Sequence, residues 1–207
     1  MTTMTPTVAR ALWLALLDNA ARLVVEADAL FPSPRAQSLV VLAEEEVGKA
    51  VWVYKAFSSA WSGGDETPSE VPELRKLGRA HIEKLIEATD FATCMLDVPG
   101  IPKPVEIELV RTHAREVLDS YLERVAHEDN HAKQKGFYVD LKEDGTFTVP
   151  HEVDRPLLKS QIWETADMIK WFCDEDHLRA SVTGGQRSPT NEVEVLLTDI
   201  LARDPDA

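Results

Sequence analysis

Five clusters of helix-breaking residues constrain what this chain can fold into. FPSP (31–34), SGGDETPSEVP (62–72), DVPGIPKP (97–104), KEDG (142–145) and VTGGQRSP (182–189) all carry proline or glycine, most of them beside capping side chains. Such combinations interrupt regular structure. Between them lie segments near 8–30, 35–61, 73–96, 105–135, 155–180 and 190–203, where apolar residues recur with a period of 3.6. Ser33-Pro34 adds a capping hydroxyl and a first-turn proline to the second segment. One stretch breaks the pattern. GFYVDLKEDGTFTVP (136–150) alternates aromatic or β-branched residues with polar ones around a glycine turn, which predicts a β-hairpin. The expected fold is all-α: a helical bundle with a short β-hairpin after the fourth helix and a C-terminal helical extension. Residues 8–150, including the hairpin 136–150, are expected to form the main helical domain, and 151–207 an extension packed on the same domain.

A chain of 207 residues is large enough for one well-packed domain. A net charge of −14 argues against broad, nonspecific nucleic-acid binding. Two small basic clusters, Arg75-Lys76-Arg79 and Lys133-Lys135, read either as the lining of a narrow groove or as solvated helix faces. The apolar run ALWLALL is far too short to cross a bilayer, and MTTMTPTVAR lacks a basic segment followed by an apolar core. A cytoplasmic protein without membrane contact is the expectation. Cys94 and Cys173 stand far apart with no C-x-x-C pairing and read as small buried hydrophobes.

Helical angles place polar residues on apolar stripes. In the second segment Leu39, Ala43, Ala50, Val53 and Phe57 share a face with Glu46 in its middle and Lys49 at its border. In the third, Leu74, Leu77, Leu85, Ala88 and Ala92 share a face with His81 in its middle and Lys84 at its border. In the fourth, Val110, Ala114, Val117 and Tyr121 continue into Arg124, Glu128 and His131. Because an unpaired buried charge costs several kcal/mol, the simplest expectation is that these groups meet, Glu46 with Arg124 or His81 and His131 nearby. The bland reading is a structural ion-pair network, or stripes that emerge into solvent.

HEDNH (127–131) spells the H-E-x-x-H of zinc proteases, with His127 and His131 one turn apart. The central positions are Asp129 and Asn130, where such proteases generally carry uncharged residues, and no third ligand stands at a familiar spacing. A glycine and a histidine of the extended motif would fall at Gln134 and Phe137. A di-iron reading of Glu128 and His131 needs a second E-x-x-H, which the chain lacks. No metal and no cofactor is therefore expected, and the zinc protease is the weakest alternative. Arg124 and His131 also form R-x6-H, separated by about 10.5 Å of helical rise and about 20° of rotation. That pair suits metal-free RNA cleavage, since histidine moves protons and arginine holds phosphate.

LAEEEVGKA (42–50), HIEKL (81–85) and KQKGFYVDL (133–141), in that order on a helical bundle, resemble the AbiV family of abortive-infection proteins in the HEPN superfamily. The resemblance covers roughly 10–150, and its most specific parts are the G-K after the glutamates and K-x-x-G-x-Y-V-D. It implies an antiphage role, a HEPN-like bundle and a homodimer. Many HEPN proteins are metal-independent ribonucleases with an R-x4–6-H motif, and Arg124 and His131 match it as the catalytic pair. Glu45, Glu46, Lys49, His81 and Lys84 match the family's other polar positions; between the two motif residues, His127 reads as a neighbouring residue in reach of substrate and Glu128 as a salt-bridge partner. Lys133, Lys135 and Tyr138 would contact an RNA substrate or a partner. One departure is Val125, which follows the arginine where many active members have a polar residue. It favours the alternative, a noncatalytic module that binds a phage protein or ligand through the bundle and hairpin.

Overall fold

The computed structural model describes residues 3–76, 81–95, 107–141, 143–150 and 153–203; the side chains of 75–76, 92–95, 107–118, 140 and 148 lie outside that description. The elements follow the breakers closely. They are β1 (Thr3–Met4), α1 (Pro6–Leu30), α2 (Pro34–Gly63), β2 (Ser69–Glu70), α3 (Pro72–Lys76), α4 (His81–Met95), α5 (Ile107–Phe137), β3 (Asp140–Leu141), β4 (Phe147–Thr148), α6 (Arg155–Thr183) and α7 (Asn191–Leu201). The 73–96 segment corresponds to α3 and α4, with 77–80 outside the described residues.

Local chemistry sets the ends. Thr5, Ser33 and Asp154 cap α1, α2 and α6 by accepting from Val8, Arg35 and Leu157 N–H, and each helix carries proline in its first turn. Gly64 and Gly184 follow α2 and α6 at φ 68°, a left-handed conformation that glycine adopts without steric cost.

The fold is an all-α bundle built around α2, which packs against α1 and α6 and also against α4 and α5; α7 closes over α1 and α6. Buried residues such as Val40, Val41, Ala43, Val47, Val51 and Val53 are spread around the circumference of α2, the pattern of a helix enclosed by others. On the α1/α6 side an aromatic cluster forms the centre. The Trp13 and Phe172 rings meet edge-on at 5.5 Å, and Phe91 lies 4.3 Å from Phe172. On the α4/α5 side a smaller core of Val41, Leu85 and Ala126 is flanked by Ile82 and Ile86.

The hairpin after α5 pairs Asp140 with Thr148 and Leu141 with Phe147 in antiparallel register. A second antiparallel pair, Thr3 with Glu70 and Met4 with Ser69, was not anticipated, because two-residue strands carry no readable period. No helix among the described residues is long and apolar enough to cross a membrane.

Candidate functional site

The site is organised by one stripe of α2: Ser38, Val41, Glu45, Gly48 and Trp52, all buried. Spacings of three and four keep these residues on the face toward α4 and α5. Gly48 lets α4 in. A Cβ there would stand 2.0 Å from the Lys84 carbonyl oxygen, so only glycine permits this crossing. Gly136 of α5 does the same near the start of α2, where a Cβ would fall 2.0 Å from Ser38 Oγ and 2.4 Å from the Pro34 carbonyl oxygen. Ser38 Oγ donates to the Lys133 carbonyl at 2.9 Å and ties the crossing together.

Glu45 lies between these crossings, with its side chain 4% exposed. Lys84 Nζ of α4 donates to Oε2 at 2.7 Å and Lys133 Nζ of α5 donates to Oε1; both lysines are buried. His81 Nδ1 lies 2.8 and 2.7 Å from the two carboxylate oxygens. A carboxylate only accepts, so Nδ1 carries the hydrogen and Nε2 is the nitrogen left for solvent or a ligand. Burial opposes ionisation of Glu45, but the hydrogen bonds from Lys133, Lys84 and His81 outweigh it and hold the carboxyl below its ordinary range. Three helices are thus joined through one carboxylate.

This geometry corrects the expected inward set. His81 meets Glu45, not Glu46. Glu46 is half-buried and pairs with its own helix neighbour, Lys49, at 2.6 Å. Lys84, expected at a stripe border, is buried, whereas His81, expected at the centre, is about half exposed (49%). On α5 the inward residues are Leu122, Ala126, Lys133 and Gly136, and Tyr121, Arg124, Glu128 and His131 form the solvent face. Arg124 Nη1 donates to Glu128 at 3.1 Å and its guanidinium lies 5.3 Å from the Tyr121 ring centre, whereas Glu45 is held by His81, Lys84 and Lys133. The inward face expected from Val110, Ala114 and Val117 rests on side chains outside the described residues, as do those of Leu77, Ala92, Arg75, Lys76 and Arg79. Of the Lys133-Lys135 pair, only Lys135 is at the surface. His127 is exposed beside the motif, and Tyr138 is 60% exposed at the base of the hairpin.

Next to Glu45, Glu44 turns toward α6. Its carboxyl is pushed up to about 8 by burial first and then by the nearby Asp129 charge. Asp129 is itself raised to about 6 by burial and by Glu128. Thr165 Oγ1 stands 2.8 Å from the Gln161 carbonyl and 3.2 Å from Glu44 Oε1. The hydroxyl has one proton. When Thr165 donates to Gln161, Glu44 must donate to Thr165, which requires the protonated acid.

The family profile HEPN_AbiV, described as AbiV, matches residues 8–171. This chain belongs to the AbiV family of HEPN proteins. No curated protein and no solved structure matches it. The AbiV region begins in α1 and ends within α6, so it contains the Glu45 cluster, both faces of α5 and the hairpin. The segments that carried the AbiV resemblance now have a physical reading. Glu45-x-x-Gly48 and Lys133-x-x-Gly136 each place a buried charge one turn before a glycine at a helix crossing. That repeated spacing was the signal by which Glu45, rather than Glu46, could have been found from sequence. Among the described residues no three His, Cys, Asp or Glu side chains gather as metal ligands, and His127, Glu128 and His131 of HEDNH are all exposed.

Proposed function

We propose that this AbiV-family protein acts in abortive infection as a metal-independent endoribonuclease, working as a homodimer in the cytoplasm. Arg124 would hold the scissile phosphate and His131 would serve as general acid or base, in a cleft completed by the α5 face of a second copy. The observation that carries this reading is the division of α5. Lys133 locks its inner face to the Glu45 carboxylate, so Arg124 and His131 are presented on its open face in fixed register. An arginine and a histidine two turns apart on a rigid element are the groups that phosphodiester cleavage without metal needs. Glu45, Lys84 and His81 would act through α4 and α5 by holding that register.

Induced expression of wild type and His131→Ala, with total RNA examined on a gel, tests the proposal. Fragmented RNA and growth arrest with wild type alone are expected. Intact RNA and healthy cells with wild type during phage challenge would sink it.

A second reading is favoured by the hairpin. Tyr138, Val139, Leu141, Phe147 and Val149 are between 42% and 77% exposed, an apolar surface on a small element. A noncatalytic module would use it to bind a phage protein. Phage protection that survives His131→Ala but is lost in Tyr138→Ala would select this reading over the ribonuclease.

A further inference from the structure

The Glu45 cluster does not balance its charge. One carboxylate faces two buried ammoniums, and Lys84 Nζ and Lys133 Nζ each make a single hydrogen bond, both to Glu45. A lysine ammonium has three N–H donors, so most of these donors find no acceptor among the described residues. The neighbouring acids do not cancel the surplus. Glu46 is committed to Lys49 and Glu87 to Lys55. Glu44, pushed up to about 8, keeps its proton near neutral pH and adds no charge. Asp129 responds to burial and to Glu128, and among the described residues no ion pair joins it to Lys133. Glu83 lies about 200° around α4 from His81, on the other side of that helix.

A buried charge that its neighbours leave uncompensated is costly and draws a counter-charge. The chain as a whole is strongly acidic, but solvent screens exposed charges beyond about 8 Å, so at contact distance the local surplus decides. His81 is the exposed member of the cluster: its side chain is 49% exposed, whereas those of Glu45, Lys84 and Lys133 are buried. Glu45 holds Nδ1, which fixes the ring and leaves Nε2 outward. An imidazole held this way can take a proton and present a second N–H to solvent. A phosphate group suits it in either protonation state. It accepts from the imidazolium, or, as a monoester near neutral pH, it can carry the proton that a neutral Nε2 accepts.

We propose that His81 Nε2 is a binding point for a phosphate group, held through one shared proton and by the surplus positive charge of Lys84 and Lys133 behind the ring. Free phosphate, the terminal phosphate of a nucleotide and the backbone of RNA all carry this group. The site stands apart from Arg124 and His131 and does not depend on cleavage by them.

The probes are inorganic phosphate, adenosine monophosphate and a short 2′-O-methyl oligonucleotide without terminal phosphates, with adenosine as the phosphate-free control. In full-length protein at constant pH and ionic strength, the His81 Nε2 resonance is followed by NMR, and in the variants binding is read from broadening of the ligand's phosphorus resonance. A saturable shift of Nε2 is expected, with a dissociation constant of about a millimolar for so small a contact. Binding of phosphate or the nucleotide without the oligonucleotide assigns a free or terminal phosphate; binding of the oligonucleotide as well assigns the RNA backbone. His81→Asn keeps an N–H for Glu45 but has no outward nitrogen, and should weaken binding about tenfold or more. Lys84→Met removes the surplus charge and should also weaken it. His131→Ala should bind as wild type does, which separates this test from that of the nuclease. The proposal fails if no phosphate probe shifts Nε2 saturably, if adenosine binds as tightly as its monophosphate, or if His81→Asn binds unchanged. Should Lys84→Met not fold, the wild-type titration and His81→Asn, altered at a half-exposed position, decide the matter between them.

Discussion

The two faces of α5 carry similar letters and do opposite work. Lys133 on the inner face is buried against Glu45, and Arg124 on the outer face is more than half exposed against Glu128. Both are cations paired with a glutamate. Burial makes the first pair a keystone, because neither charge can return to water without unpacking three helices. Exposure makes the second pair nearly neutral for stability, since solvent screens it and replaces either partner. In this protein the fold depends on the inner pair and is nearly indifferent to the outer one.

The sharpest break of that contrast is Glu45→Ala, which strands the Lys84 and Lys133 ammoniums in the interior. A loss of about 3–5 kcal/mol is expected in urea unfolding, enough to leave little folded protein. The wild-type contribution of this carboxyl also has a sign in pH. Its native value lies below the ordinary 4.5, so its stabilisation is present above that pH and is lost as pH falls through the native value.

Next in size, Gly136→Ala places a methyl against Ser38 Oγ and the Pro34 carbonyl, and Gly48→Ala places one against the Lys84 carbonyl. Each should cost about 1–3 kcal/mol by forcing helices apart, read as a lowered midpoint of thermal unfolding. An unchanged midpoint in both would show that these crossings accommodate a methyl group without strain.

Glu44→Gln tests the neighbouring carboxyl and should have the opposite sign. Because Glu44 is raised from 4.5 to about 8, the native state holds the extra proton between those values, and native stability declines as pH rises through them. Gln cannot ionise. The variant is expected to exceed wild type by about 1–2 kcal/mol near pH 9, a discounted fraction of what so large a shift would give for an isolated group, and to match it near pH 5. Denaturation at both pH values checks this, and a constant difference would exclude ionisation of Glu44 as its cause.

The smallest expected effect on stability is that of Arg124→Ala or His131→Ala, within about 0.5 kcal/mol, because both side chains are on the surface. The same substitutions should abolish the proposed RNA cleavage. A large loss of stability in either would erase the distinction between the two faces.

The sequence alone determined the helices. Proline, glycine and capping residues mark their ends, and the 3.6 period marks their interiors, because both are local properties of the backbone and need no partner. The hairpin was legible for the same reason, and the AbiV segments named the family. What those segments do was not legible. Helix α2 is enclosed on nearly all sides, so its period cannot tell which of Glu44, Glu45 and Glu46 points at which neighbour. Only the tertiary structure separated them: Glu44 toward Thr165 of α6, Glu45 toward two lysines, Glu46 toward Lys49. The rotation of α5 was likewise decided by packing. Gly136 and Ala126 let that helix approach α2 on one side, which turned Arg124 and His131 to the other. Helical spacing places residues on a common face, but which face is buried depends on what lies beside it.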